Sequence, residues 1–167
     1  MAEYIRVDRA RQVARLVGEV GEIGPGTAEA RQHAVESLLT LVGAAVGALV
    51  FDPSYRPASG SATKAITHAG FDAATERVLG ATSSEGCASI PTQRELMRRL
   101  GKHPKRELIT ATNKELLPQR TWDRSSWVNE YARPAGLDSF LSSVLPIKDG
   151  VVEATGFMRE ASDTPFN

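Results

Sequence analysis

Read along the chain, apolar residues first recur at helical spacing. Between Asp8 and about Glu22, Val13, Leu16, Val17 and Val20 fall on one stripe, which predicts an amphipathic helix with Asp8 as its N-cap. Gly24, Pro25 and Gly26 punctuate its end as a helix–helix turn. A second helix is predicted from Ala28 to about Ala44. There Val35, Leu38, Leu39, Leu41 and Val42 give an apolar face wide enough to be well buried. The pattern then changes: "AAVGALVF", Ala44 to Phe51, is an unbroken apolar run and reads as a central strand.

The middle of the chain is less regular. "DPSYRPASGS" reads as a loop, "ATKAITHAG" as a more exposed strand, and "FDAATERVLG" as a short helix opening near Asp72. Small and polar residues from Ala81 to Ile90 predict a loop. Thr92 with Glu95, and Thr112 with Glu115, have the spacing of capping boxes, in which hydroxyl and carboxylate satisfy orphan N–H groups reciprocally. "ELITAT" between them is a strand candidate. A helix from about Ser125 to Ala132 is stopped by Pro134 and turned by Gly136. "SFLSSVLPI" and "VVEATGFMRE" then read as two strands of a hairpin, joined through Asp149-Gly150.

On the last strand Val152, Ala154, Gly156 and Met158 form one face, and Glu153, Thr155, Phe157 and Arg159 the other. A mixed face on an inner strand implies a partly polar cavity. These elements predict a single α+β domain over residues 1–167: an antiparallel sheet of about five strands with helices packed on it, two of them N-terminal.

Composition adjusts this picture mainly by exclusion. Lys plus Arg and Asp plus Glu both number 20, so no net charge draws the chain to nucleic acid or to an acidic membrane surface. The single cysteine, Cys87, forbids an internal disulfide and suits a reducing cytoplasm. "MAEYIRVDRARQ" has no apolar core of a signal peptide. The run from Leu41 to Phe51 is too short and too glycine-rich to span a bilayer. A cytoplasmic protein with no membrane contact is therefore expected.

Short chemical motifs give way to plainer readings. "SATK", Ser61 to Lys64, has the serine–lysine spacing of penicillin-binding enzymes but lacks the K-T-G that must accompany it. His33, His68 and His103 have no ligand spacing, and Cys87 has no cation or histidine near it in sequence. The basic run from Arg98 to Arg106 is broken by Gly101 and Pro104, carries no interleaved aromatics, and reads as a solvated face. No catalytic residue, metal site or cofactor is expected.

The aromatic residues stand apart. Only ten of 167 residues are Phe, Trp or Tyr, yet "TWDRSSWVNEYARPAGLD" holds both tryptophans and a tyrosine. Trp127 and Tyr131 are four apart and share a helix face. Trp122 precedes the helix and can fold back on it. Rings at this spacing serve as core or as the wall of a ligand site.

This stretch, followed by "LPIKDG" and "FMREASDTPF", resembles the N-terminal sensory region of bacterial LuxR-type helix-turn-helix transcriptional regulators. The matching residues are Trp122, Ser125, Asn129, Glu130, Arg133, Pro134, Gly136, Asp149, Gly150, Arg159, Pro165 and Phe166. The match covers Thr112 to Asn167; upstream only the order of elements agrees. The resemblance implies a GAF/PAS-like sensory fold without chemistry of its own. No basic recognition helix pair follows within these residues, so direct nucleic acid binding is not expected of this chain. A stand-alone relative and one domain of a longer regulator are both open.

The expectation is a non-enzymatic domain that binds an unknown small molecule between sheet and covering segments. Trp122, Trp127, Tyr131, Phe140, Phe157 and Arg159 are the candidate ligand-binding residues, with Arg159 as polar or anionic anchor and Trp122 the ring most readily assigned to the pocket. The stripe of Val13, Leu16, Val17 and Val20 is the expected homodimer surface. The alternatives are a ligand-free protein-interaction or dimerisation module, and a small hydrolase or lyase with two convergent titratable groups in a cleft.

Overall fold

The computed structural model describes residues 7–52, 65–85, 90–100, 108–146 and 152–166. The chain forms α1 (Val7–Ile23), α2 (Ala28–Val42), β1 (Val46–Asp52), β2 (Ala65–Ala69), α3 (Glu76–Glu85), α4 (Pro91–Leu100), β3 (Ile109–Thr112), α5 (Asn113–Leu116), α6 (Gln119–Asp123), β4 (Leu137–Pro146) and β5 (Val152–Glu160). A π-helical turn, Val128–Ala132, and a 3₁₀ turn, Arg133–Ala135, lie between α6 and β4. The expected α+β architecture, with two N-terminal helices and a five-stranded antiparallel sheet, is what the sequence forms.

Strand order is β2-β1-β5-β4-β3, with every neighbouring pair antiparallel. β5 is therefore central, between β1 and β4. Its alternation sorts the molecule into two packing layers. On one face Phe157 joins Leu49, Val35 and Phe166, with Leu38, Leu39 and Val42 of α2 packed against them. On the other face Met158, Phe140 and Val46 meet Val78, Ile90, Trp122, Trp127 and Val128.

Local sequence explains the joints. Thr27 caps α2 by accepting from Ala30 N at 3.1 Å. Gly43 ends it in the left-handed region, φ 63°, where glycine carries no Cβ penalty. Gly47 lies opposite Phe157, and a Cβ there would come within 2.5 Å of the Phe157 ring, so the aromatic covers the glycine across the strands. The Thr112 capping box forms as expected: Thr112 Oγ1 accepts from Glu115 N, and Glu115 Oε2 accepts from Thr112 N at 2.7 Å.

Several expectations are corrected. Asp8 lies inside the first turn of α1 rather than capping it. α2 stops at Val42, two residues short of Ala44, and Leu38, Leu39, Leu41 and Val42 are half-buried rather than well buried. The loop expected from Ala81 is helix as far as Glu85. There the helix is held in place by packing, with Val78 and Ala81 buried in the core. Asp72 caps a turn ahead of this helix, accepting from the Ala74 and Thr75 amides. Thr92 is not an N-cap, because Pro91 occupies the first helical position and puts Thr92 one step inside α4. Its partner Glu95 instead takes a two-point contact from Arg98, at 2.6 Å twice, and one from Arg99 at 3.3 Å. Ser61 to Lys64, Cys87, His103 and the Asp149-Gly150 turn lie outside the described residues.

Candidate functional site

The stretch from Trp122 to Asp138 is built as a corner. Trp122 is fully buried and donates its indole N–H to Asp138 Oδ1 at 3.1 Å. Arg133 Nε donates to the same oxygen at 3.1 Å, and the guanidinium also reaches Asn129 Oδ1 at 3.0 Å and Asp123 Oδ1. Asn129 closes the ring by donating to the Asp123 carbonyl at 2.8 Å. The Arg133 guanidinium holds the Asp123 carboxyl below its ordinary range, and Asp123 in turn raises the Arg133 pKa. Gly136 turns the chain into β4 at φ 76°.

Within this corner the backbone widens to a π turn after Trp127, with Arg133 N donating to Val128 O. The wider turn buries Trp127, Val128 and Ala132 and leaves Tyr131 half-buried. Such turns recur at functional positions. Trp127 meets Phe140 edge to face, with centroids 6.4 Å apart and planes at 79°. Trp122 tilts against Phe140 from the other side at 6.5 Å.

Trp127 and Phe140 border a cavity of about 50 Å³ between the sheet and α3–α4. Val46, Ala48 and Val50 of β1 and Ala154, Gly156 and Met158 of β5 form its floor. Phe71, Val78, Leu79 and Ile90 cover it. Gln93 supplies a polar side-chain end. It is buried and donates to Ser142 Oγ at 2.8 Å, and Ser142 passes a hydrogen bond to the Thr155 carbonyl at 3.1 Å. The space exceeds the roughly 10–15 Å³ that one water needs.

One polar atom in the wall residues is left over. Trp127 is 2 % exposed, and its indole Nε1–H finds no hydrogen-bond acceptor among the described residues. Leaving such a donor buried and unmet costs about 1–3 kcal/mol.

The six expected ligand residues thus separate. Trp127 and Phe140 line the cavity. Trp122 and Tyr131 pack in the same core cluster without reaching the cavity wall. Phe157 and Arg159 lie on the opposite face of β5, because residues one apart on a strand point to opposite sides. Arg159 is no anchor in this cavity. Its guanidinium donates to the carbonyls of Val42 at 2.5 Å, Gly43 at 2.9 Å and Thr164 at 2.7 Å, and it stacks 4.1 Å from the centroid of Phe166. It ties the free carbonyls at the end of α2 to the C-terminal strap, which Phe166 N fastens to Ser139 Oγ at 2.9 Å.

Sequence reasoning missed Gln93, Ile90 and Phe71. Ile90, just before α4, and Gln93 and Leu96 within it are all buried at three-residue steps, and that stripe was the signal. Reading Thr92 as a cap obscured it.

No protein-family model and no curated protein matches the chain. Among the described residues no helix is long and apolar enough to cross a membrane.

Proposed function

We propose that this is a non-enzymatic, cytoplasmic ligand-sensing domain of the GAF/PAS-like regulatory type, with the cavity beneath α3 and α4 as its binding site. The observation that carries the reading is that Trp127, which borders an apolar cavity, keeps a buried indole donor with no acceptor among the described residues. A ligand with a hydrogen-bond acceptor would satisfy that donor and fill the space together. No titratable side chain lines the cavity among the described residues, which favours an uncharged ligand and binding over catalysis. A cavity of about 150 Å³ takes benzene, so a ligand of that size enters here only as the wall gives. Met158, the most adaptable side chain of the floor, is suited to move. Occupancy would act on Trp127 and Phe140, and through the π turn on the Asp123–Arg133–Asp138 corner, shifting the population between two packings.

A thermal-shift screen of small neutral and charged metabolites tests this. A ligand at a hundred times its dissociation constant adds about 2.7 kcal/mol to stability. Neutral acceptor-bearing compounds are expected to raise the melting temperature; a response confined to charged compounds contradicts the reading.

A second reading, an interaction or homodimerisation surface on α1, has its own support. Val13 and Val17 are 46 % and 66 % exposed. The stripe is divided, however: Leu16 faces the groove between α1 and α2, beside Ser37, Thr40 and Leu41. Light scattering at rising concentration tests it, with a dimer that V17K abolishes as the expected result and a persistent monomer as the contrary one.

A further inference from the structure

Away from the cavity, α4, α6 and the segment after α6 enclose a surface groove whose side chains are nearly all hydrogen-bond donors. Arg94 comes from α4, Arg120 and Thr121 from α6, and Arg124, Ser125 and Ser126 follow directly. The three arginines are exposed, and no acidic side chain lines the groove among the described residues.

Among the other described arginines, Arg11 and Arg77 also meet no carboxylate and Arg9 and Arg31 reach only a carbonyl, whereas the remaining ones are engaged more fully. Arg15, Arg98, Arg99 and Arg133 each meet a carboxylate, and Arg159 is spent on three carbonyls. Arg120 and Arg124 also stand four residues apart on one helical turn, where like charges repel by a few tenths of a kcal/mol. Arg94, Arg120 and Arg124 meet no carboxylate among the described residues. Three guanidinium groups and three hydroxyls lining one groove match the donor demand of a tetrahedral oxyanion with several acceptor oxygens.

We infer that this groove is a binding site for a phosphate dianion, free or as a phosphomonoester, held by Arg94, Arg120 and Arg124 with the hydroxyls of Thr121, Ser125 and Ser126. The site is independent of the cavity. Arg124 and Ser125 lie only two or three residues before Trp127, so an anion bound there would act on the same corner from outside.

The test is a titration with inorganic phosphate at pH 8 and low ionic strength, followed through the arginine Nε–H resonances and repeated with sodium chloride at matched ionic strength. The expected result is a saturable shift at the groove arginines that chloride does not reproduce, weakened at least fivefold in R120Q and in R124Q. R11Q, which removes one exposed charge from α1, is expected to leave the affinity unchanged. Phenyl phosphate separates the sources: equal binding marks recognition of the phosphate alone, and tighter binding marks an ester, both within the proposal. Equal responses to phosphate and chloride, or equal losses in R11Q and R120Q, would overturn it.

Discussion

Ala48→Val tests whether the cavity is open space held for a ligand. Ala48 faces it from β1, and its cross-strand neighbour on β5 is Gly156, which presents no side chain. Valine adds two methyl groups and favours a strand. Buried void costs about 24 cal/mol per Å³, so filling all of the about 50 Å³ is worth at most about 1.2 kcal/mol. Incomplete filling and a restricted rotamer reduce the expected gain to roughly 0.5–1 kcal/mol. For a chain of this size that raises the melting temperature by about 1–4 °C. Urea unfolding followed by tryptophan fluorescence measures it, with the midpoint moving up and the slope unchanged. The same variant should lose small-molecule binding. Stability gained with binding lost is the signature of a site kept open at a cost to the fold. The reasoning fails if A48V lowers stability by 1 kcal/mol or more, which is the cost of overpacking. It fails equally if the stabilised variant binds ligand as before.

Two further predictions concern arginine contacts. Arg159→Ala should lower stability by about 2 kcal/mol, through loss of three charge-assisted hydrogen bonds and the Phe166 contact, yet leave ligand affinity unchanged; denaturant titration and a binding isotherm on the same preparation check both, and loss of binding without loss of stability would restore Arg159 as an anchor. Arg98 beside Glu95 pulls that carboxyl down from 4.5 to about 2, so the pair's contribution is present above about pH 4.5 and is lost as pH falls through about 2. Wild type should therefore exceed E95Q in melting temperature at pH 7 and approach it near pH 2, and a gap that persists at pH 2 would refute the assignment.

Much of the fold was legible because hydrophobic period and turn chemistry agreed. The β4–β5 strands, the Thr112 capping box and the first two helices follow from patterns contained within a few residues. Where local and tertiary signals competed, the tertiary one prevailed. Ala81 to Glu85 is weakly helical by composition and is helix because Val78 and Ala81 pack in the core. Proline at position 91 moved the start of α4 and turned an apparent capping box into an ion-pair site.

The site was half legible, for a related reason. Scarce aromatics drew attention to all the rings at once, although the alternation along β5 already separates Phe157 and Arg159 from Gly156 and Met158. Trp122 and Trp127 cannot be ranked from sequence, because the difference lies in their partners. Asp138 satisfies one indole, and the other has no acceptor among the described residues. Of the residues on which the expected LuxR-type resemblance rests, Trp122, Asn129 and Arg133 lock the corner, and Arg159 and Phe166 fasten the strap.

The most direct measurement is an NMR titration that watches the two indole N–H signals while cyclopentanone, or its hydrocarbon counterpart methylcyclopentane, is added. Trp122, already bonded to Asp138, serves as the internal reference. The account predicts that cyclopentanone moves the Trp127 signal downfield saturably, leaves Trp122 in place, and binds at least tenfold more tightly than methylcyclopentane. Equal binding of the two, or a Trp127 signal indifferent to both up to their solubility, would contradict it.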